Sequence, residues 1–155
     1  MVSPELLRRY PFFAPFDDNE IGDIAMISEE VYYQAGDTVF EVDQPAVALY
    51  VLVEGGVEIW YVAIDKHEQD LRKEFYVNDI NAGDLFGISA LVEPYIYTTT
   101  ALITAGTRLI KVDGPQLRNL CQLDPKLDAA VMHRIAKVAM DRLHDTRVQL
   151  LAARA

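Results

Sequence analysis

The chain has 155 residues, 51% of them hydrophobic and 25% charged, and its 14 basic against 24 acidic side chains leave a formal net charge of −10. That size and balance fit one packed domain over 1–155. No apolar run approaches the ~18 residues of a membrane span, the N-terminus lacks the basic-then-apolar order of a secretory signal, and the single Cys121 excludes an internal disulfide framework. The acidity also argues against binding a nucleic-acid duplex, which needs clustered Lys and Arg. The basic residues are scattered: 8 against 20 acidic through Leu123, then 6 against 4 from Asp124 on. No direct nucleic-acid partner and no membrane partner are expected. A reducing, cytoplasmic location is expected from the cysteine usage.

In chain order, residues 1–28 read as short helices. Ser3-Pro4-Glu5 is an N-cap with proline at the first helical position. Pro11 and Pro15 break the chain around Phe12, Phe13 and Phe16, and Asp17-Asp18-Asn19-Glu20 offers caps for a second helix. Residues 31–112 read as β. Runs rich in Val, Ile, Tyr, Phe and Thr predict strands at Val31–Gln34, Thr38–Val42, Ala48–Glu54, Gly56–Ile64, Leu71–Ile80, Ile96–Ile103 and Thr107–Val112. Turn residues separate them, and Asp65–Asp70 reads as an exposed hairpin tip. Such spacing suggests a sandwich or a small antiparallel barrel. Residues 114–153 read as C-terminal helices. Gly114-Pro115 starts a short one to about Leu120, and Asp124-Pro125 starts a long one. Leu127, Val131, Ile135, Val138 and Ala139, Leu143, Thr146 and Leu150 follow at helical spacing. Such a helix spans ~45 Å at 1.5 Å per residue, too long for one small barrel to cover. A homodimer through this helix is the expected partner arrangement.

This order of elements resembles the cyclic-nucleotide-binding domain of catabolite activator proteins, kinase regulatory subunits and gated channels. Three stretches carry the resemblance. Ala35-Gly36-Asp37-Thr38-Val39-Phe40 looks like the family's Gly-Asp strand opening. Pro45-Ala46 through Leu49–Gly55 to Val57-Glu58-Ile59 is similar to its central hairpin. Ala82-Gly83-Asp84-Leu85-Phe86-Gly87, then Ser89-Ala90-Leu91, looks like the entry to its phosphate-binding cassette. The implied fold is α+β and mainly β: an antiparallel β-roll (a double-stranded β-helix, jelly-roll-like) with short N-terminal helices and a long C-terminal helix. The implied ligand-binding residues are Phe86, Gly87, Ile88, Ser89, Ala90, Leu91, Thr98 and Thr99. Gly87 precedes a short helical stretch whose free N–H groups suit an anion.

The cassette departs from the family at two charged positions. Nucleotide-binding members carry a glutamate directly after the Phe-Gly to grip the ribose 2′-hydroxyl; here Ile88 stands there. They carry an arginine for the cyclic phosphate where this chain has Thr98. Losing one charged partner of a buried pair costs about 2–5 kcal/mol, so losing both predicts weak binding of cyclic AMP. Arg108 and Lys111 lie a strand or more away and are expected on an outer face.

The expected function is a non-catalytic sensor or regulatory domain that binds a cyclic nucleotide weakly, or a different small effector in the roll. No cofactor is assigned; a cyclic nucleotide of the cAMP kind is the candidate ligand. A ligand-free dimerisation or protein-interaction module is the alternative. A cupin-like enzyme is the weaker alternative, because such enzymes need clustered histidines. His67 falls in the hairpin tip, and His133 and His144 are eleven residues apart on the long helix. Neither a metal site nor catalytic residues are expected. Cys121 reads as a small buried apolar group.

Overall fold

The computed structural model describes residues 1–65, 67–68 and 71–154. Local sequence signals set the first helices. The Ser3 hydroxyl accepts from the Leu6 amide to cap α1 (Pro4–Leu7). Asp17 and Glu20 form a reciprocal capping box at the start of α2 (Asp18–Met26), as the acidic run predicts. Phe13 is fully buried between them with Phe12 and Phe16, ring edge against ring face.

The β segment is an antiparallel β-roll of six strands among the described residues. They are β1 (Ser28–Tyr33), β2 (Thr38–Phe40), β3 (Ala48–Ile64), β4 (Arg72–Ile80), β5 (Leu85–Phe86) and β6 (Thr100–Asp113). Two long strands replace four expected short ones. Ala48–Glu54 and Gly56–Ile64 are one continuous β3, and Ile96–Ile103 merges with Thr107–Val112 into β6, which starts only at Thr100. Ile96 makes a single bridge to Pro45. The two-residue β5 was not foreseen; it pairs with Tyr50 and Val51 of β3. In the expected hairpin tip, Asp65, His67 and Glu68 are exposed. Lys66, Gln69 and Asp70 lie outside the described residues.

β3 and β6 stay continuous because they bend together. Their register slips between Leu52 and Val57. At the bend Gly55 has φ +118°, and a Cβ there would collide with Thr107. The Thr107 hydroxyl accepts from the Gly56 amide at 3.0 Å and donates to the Ala105 carbonyl at 2.7 Å. Beyond this corner β3 leaves the β1-facing half of β6 and pairs with β4. One strand thereby serves both halves of the roll.

One apolar cluster runs from the N-terminal helices through the roll to the C-terminal helices. α3 (Gly114–Leu123) is capped by Asp113, whose side chain accepts from the Gln116 amide. α4 (Pro125–Arg154) starts at Asp124, whose carboxylate accepts from the Lys126 and Leu127 amides. Leu127, Val131 and Ile135 of α4 are buried, with Val138 packed on the cluster. Leu143 and Leu150, expected on the same stripe, are 43% and 54% exposed. The stripe is in fact two neighbouring faces: one on the core, and one open, at Met132, Ala136, Ala139, Leu143, Thr146 and Leu150.

Gly55→Ala tests the corner. Both the positive φ and the closeness of Thr107 penalise it, so it should cost about 1–3 kcal/mol. Gly22→Ala, on an open helix surface where an added Cβ meets nothing within 4 Å, should leave stability unchanged or raise it. Denaturant midpoints of the two variants check this.

Candidate functional site

Gly83 and Asp84 bring the chain onto β3: the Gly83 amide donates to Leu52 O at 2.7 Å, and the Leu52 amide donates to Asp84 O at 3.1 Å. This places β5, and then Gly87 with φ +78°. A Cβ at Gly87 would stand 3.3 Å from both the Ala48 carbonyl and the Phe40 ring. A residue with no side chain is therefore needed twice over at this point. The single 3₁₀ turn Ile88–Leu91 follows.

Behind the turn the roll is filled with aromatic rings. Phe40 and Tyr97 stack with centroids 3.8 Å apart and planes within 9°, and Tyr50 stacks on Phe86 at 5.4 Å. The Tyr97 hydroxyl donates to the Ala48 carbonyl, and the Ala48 amide donates back to it. Tyr97 is 3% exposed, Ile96 is 41% exposed, and Tyr95 lies under the Arg118 guanidinium, 3.9 Å from its ring centre.

A cavity of about 430 Å³ opens between the roll and α4. One wall is Ile59, Tyr61 and Val77 of the β3–β4 hairpin. A second is Phe86–Ser89 with Tyr97, Thr98 and Thr99. The third is Ala139, Arg142, Leu143 and Thr146 of α4. Of the sequence-derived site residues, Phe86, Gly87, Ile88, Ser89, Thr98 and Thr99 therefore meet at one cavity. Ala90 and Leu91 do not line it. Both are buried in the core, where the Ala90 carbonyl accepts from Arg118 Nη1 at 2.7 Å and holds the turn to α3.

Arg142 is the residue that sequence reasoning missed. Among the described residues it is the one charged side chain lining this cavity. Its Nη2 donates to the Leu85 carbonyl at 2.9 Å. Burial pushes its guanidinium below the ordinary value, while Asp145, Asp84 and Asp141 pull the other way. Asp145 is itself held by the Asn78 amide at 3.0 Å. The signal was present in the spacing: Arg142 follows Leu127, Val131, Ile135 and Val138 on the core-facing stripe. Arg108 is committed elsewhere, 3.5 Å from Glu54. Lys111 borders a separate depression beside Met1 and Met26.

Other reactive groups stand apart from the cavity. His67, His133 and His144 are exposed. Among the described residues no three His, Cys, Asp or Glu side chains group to hold a metal ion, and no helix is long and apolar enough to cross a membrane. Cys121 is buried, and burial pushes its thiol up to about 11.

Residues 30–124 match the family model of the cyclic nucleotide-binding domain. The chain belongs to that family. A crystal structure of a candidate cyclic nucleotide-binding protein from Geobacter metallireducens is 35% identical, with a TM-score of 0.81. The match covers 93% of this chain and 100% of that one. A candidate potassium channel protein of Rhodopseudomonas palustris is 28% identical over 82% of this chain. A CRP-like cAMP-activated global transcriptional regulator of Mycobacterium tuberculosis is 24% identical over 86%. The chain spans only 29% and 57% of those two relatives.

The buried tyrosines generate a pH prediction. Burial pushes the Tyr97 phenol from 10.0 up to about 12, and Tyr50 is pushed up further by the same cause. A raised folded-state pKa stabilises fully below the unfolded value and is lost as pH climbs through the folded one. Stability should therefore hold to about pH 10 and then fall up to about pH 12, with Tyr97 accounting for about 3 kcal/mol. Denaturant midpoints across that range should show the slope, and Tyr97→Phe should flatten it.

Proposed function

We propose that this chain is a non-catalytic regulatory domain whose effector occupies the cavity between roll and α4, and that it binds cyclic AMP only weakly. The observation that carries this reading is the shared lining of the cavity. The cassette turn forms one wall and α4 forms another, so an occupant touches both the turn and the long C-terminal helix. A change in one is felt at the other. Family membership and the regulatory names of the similar proteins support the same reading. Weak nucleotide binding is supported by Ile88 and Thr98, whose aliphatic and hydroxyl groups line the cavity where the resemblance calls for a carboxylate and a guanidinium. A hydroxyl gives neutral hydrogen bonds, roughly half as strong as charge-assisted ones.

By titration calorimetry, wild type should bind cyclic AMP at about 100 µM or weaker. Ile88→Glu with Thr98→Arg should regain affinity by restoring both charged contacts. Sub-micromolar binding by wild type would show that other groups replace the missing pair.

The open face of α4 favours a second element of the reading, a homodimer. Ala129, Met132, Ala136, Ala139, Leu143, Thr146 and Leu150 alternate at spacings of three and four and are exposed. That is the repeat of a two-helix seam, and its small residues allow close approach of a second copy. Three of these residues also line the cavity, so assembly and ligand occupancy would share side chains. Leu143→Asp should leave the roll folded and shift the mass in light scattering from dimer to monomer. Ile135→Asp, with its side chain only 4% exposed, should instead lower the melting temperature sharply. A monomeric wild type at tens of micromolar would leave the seam without this role.

A further inference from the structure

The reading above leaves the cavity's one charged lining residue without a task. Arg142 shares its wall with Ala139, Leu143 and Thr146, and Ile59, Val77 and Ile88 line the other sides of the same cavity. Its Nη2 contact to the Leu85 carbonyl fixes the guanidinium in place. Its other N–H groups have no acceptor among the described residues. No carboxylate forms a salt bridge with it among those residues either. An arginine cannot shed its charge, and a half-buried cation with donors left over beside a cavity is poised for an anionic occupant.

We propose that Arg142 is the anion receptor of this cavity, and that its ligand is a small molecule with a compact apolar body and a single carboxylate. The proposal rests on reading the cavity as a ligand site. The ligand class follows from how polarity is distributed over the walls. Arg142 supplies the charge, and the remaining polar groups of the lining are hydroxyls, at Tyr61, Ser89, Thr98, Thr99 and Thr146 among others. Ile59, Val77, Phe86, Ile88, Ala139 and Leu143 make much of the lining apolar, which favours a ligand body with few polar groups to bury. A carboxylate concentrates its polarity at one end and presents two oxygens that a guanidinium pairs side by side. The charge count follows from the far side of Arg142. There, Asp84, Asp141 and Asp145 line a polar depression of about 250 Å³ together with Arg142. These carboxylates offset its field, so one negative charge is accommodated and a second is repelled.

Calorimetry on the full chain with 2-naphthoate, its neutral amide, naphthalene-2,6-dicarboxylate and cyclic AMP tests this. Wild type should bind 2-naphthoate at least tenfold more tightly than the amide, the dicarboxylate or cyclic AMP. Arg142→Gln should remove the preference for acid over amide, with a melting temperature like that of wild type reporting an intact fold. Arg142→Lys should recover part of the preference. The acid–amide comparison needs no variant, so it stands even if Arg142→Gln fails to fold. Equal binding of acid and amide by wild type would overturn the proposal. Failure of 2-naphthoate, with cyclic AMP bound and strengthened by Ile88→Glu/Thr98→Arg, would overturn it while leaving the sensor reading standing. Failure of every probe with both forms would sink the two together.

Discussion

Gly55 and Thr107 meet so closely that no side chain fits between them, and the two long strands turn at that contact. The pairing of β3 with β6 changes register there. The first half of β3 lies between β6 and β5 in the core, and the second half lies between β6 and β4. The Thr107 hydroxyl stabilises the bend by accepting from the Gly56 amide where the register slips. Everything functional is placed by this turn. The β3–β4 hairpin supplies one wall of the cavity, and the closed half holds the cassette turn opposite it.

The helix α4 completes the arrangement by using different faces for different partners. Its first turns bury Leu127, Val131 and Ile135 in the core and so fix its direction. Further along, the same face reaches the edge of the roll, where Arg142 meets the Leu85 carbonyl and Asp145 meets Asn78. The neighbouring face, with Ala139, Leu143 and Thr146, closes the cavity while remaining partly open to solvent. The cassette turn is neutral in this chain, and the positive charge at the cavity comes from the helix instead. Charge placed there is coupled mechanically to the helix, since anything that draws the guanidinium away from Leu85 loosens one of the links between α4 and the roll.

Much of this was legible in the residues. The caps at Ser3, Asp17 and Asp124 act over three or four residues, so short-range chemistry decides them alone. Gly87 ahead of a short turn, and the uncharged side chains at Ile88 and Thr98, could be read directly from the residues. The strands were legible as apolar runs, but their continuity was not. Gly55-Gly56 and Ala105-Gly106 read as turns that end strands, whereas in the fold they are bends that two paired strands share. β5 is too short to show any alternation, and it exists only because β3 offers an edge for Leu85 and Phe86.

The sequence by itself determined the helix–roll–helix order, the caps that start the helices, the uncharged side chains at Ile88 and Thr98, and the excess length of the last helix. Each of these depends on neighbours along the chain. Which residues share the cavity was decided by the tertiary structure alone. Ala90 and Leu91 belong to the cassette stretch, yet their apolar side chains turn into the core, while the Ala90 carbonyl accepts from Arg118 of α3. Arg142 lies more than fifty residues from the cassette and reaches it only because the buried stripe of α4 docks on the roll at one rotation. The periodicity of that stripe is local, but the surface it meets is assembled from β3, β4 and β5, and no spacing along the chain records that meeting.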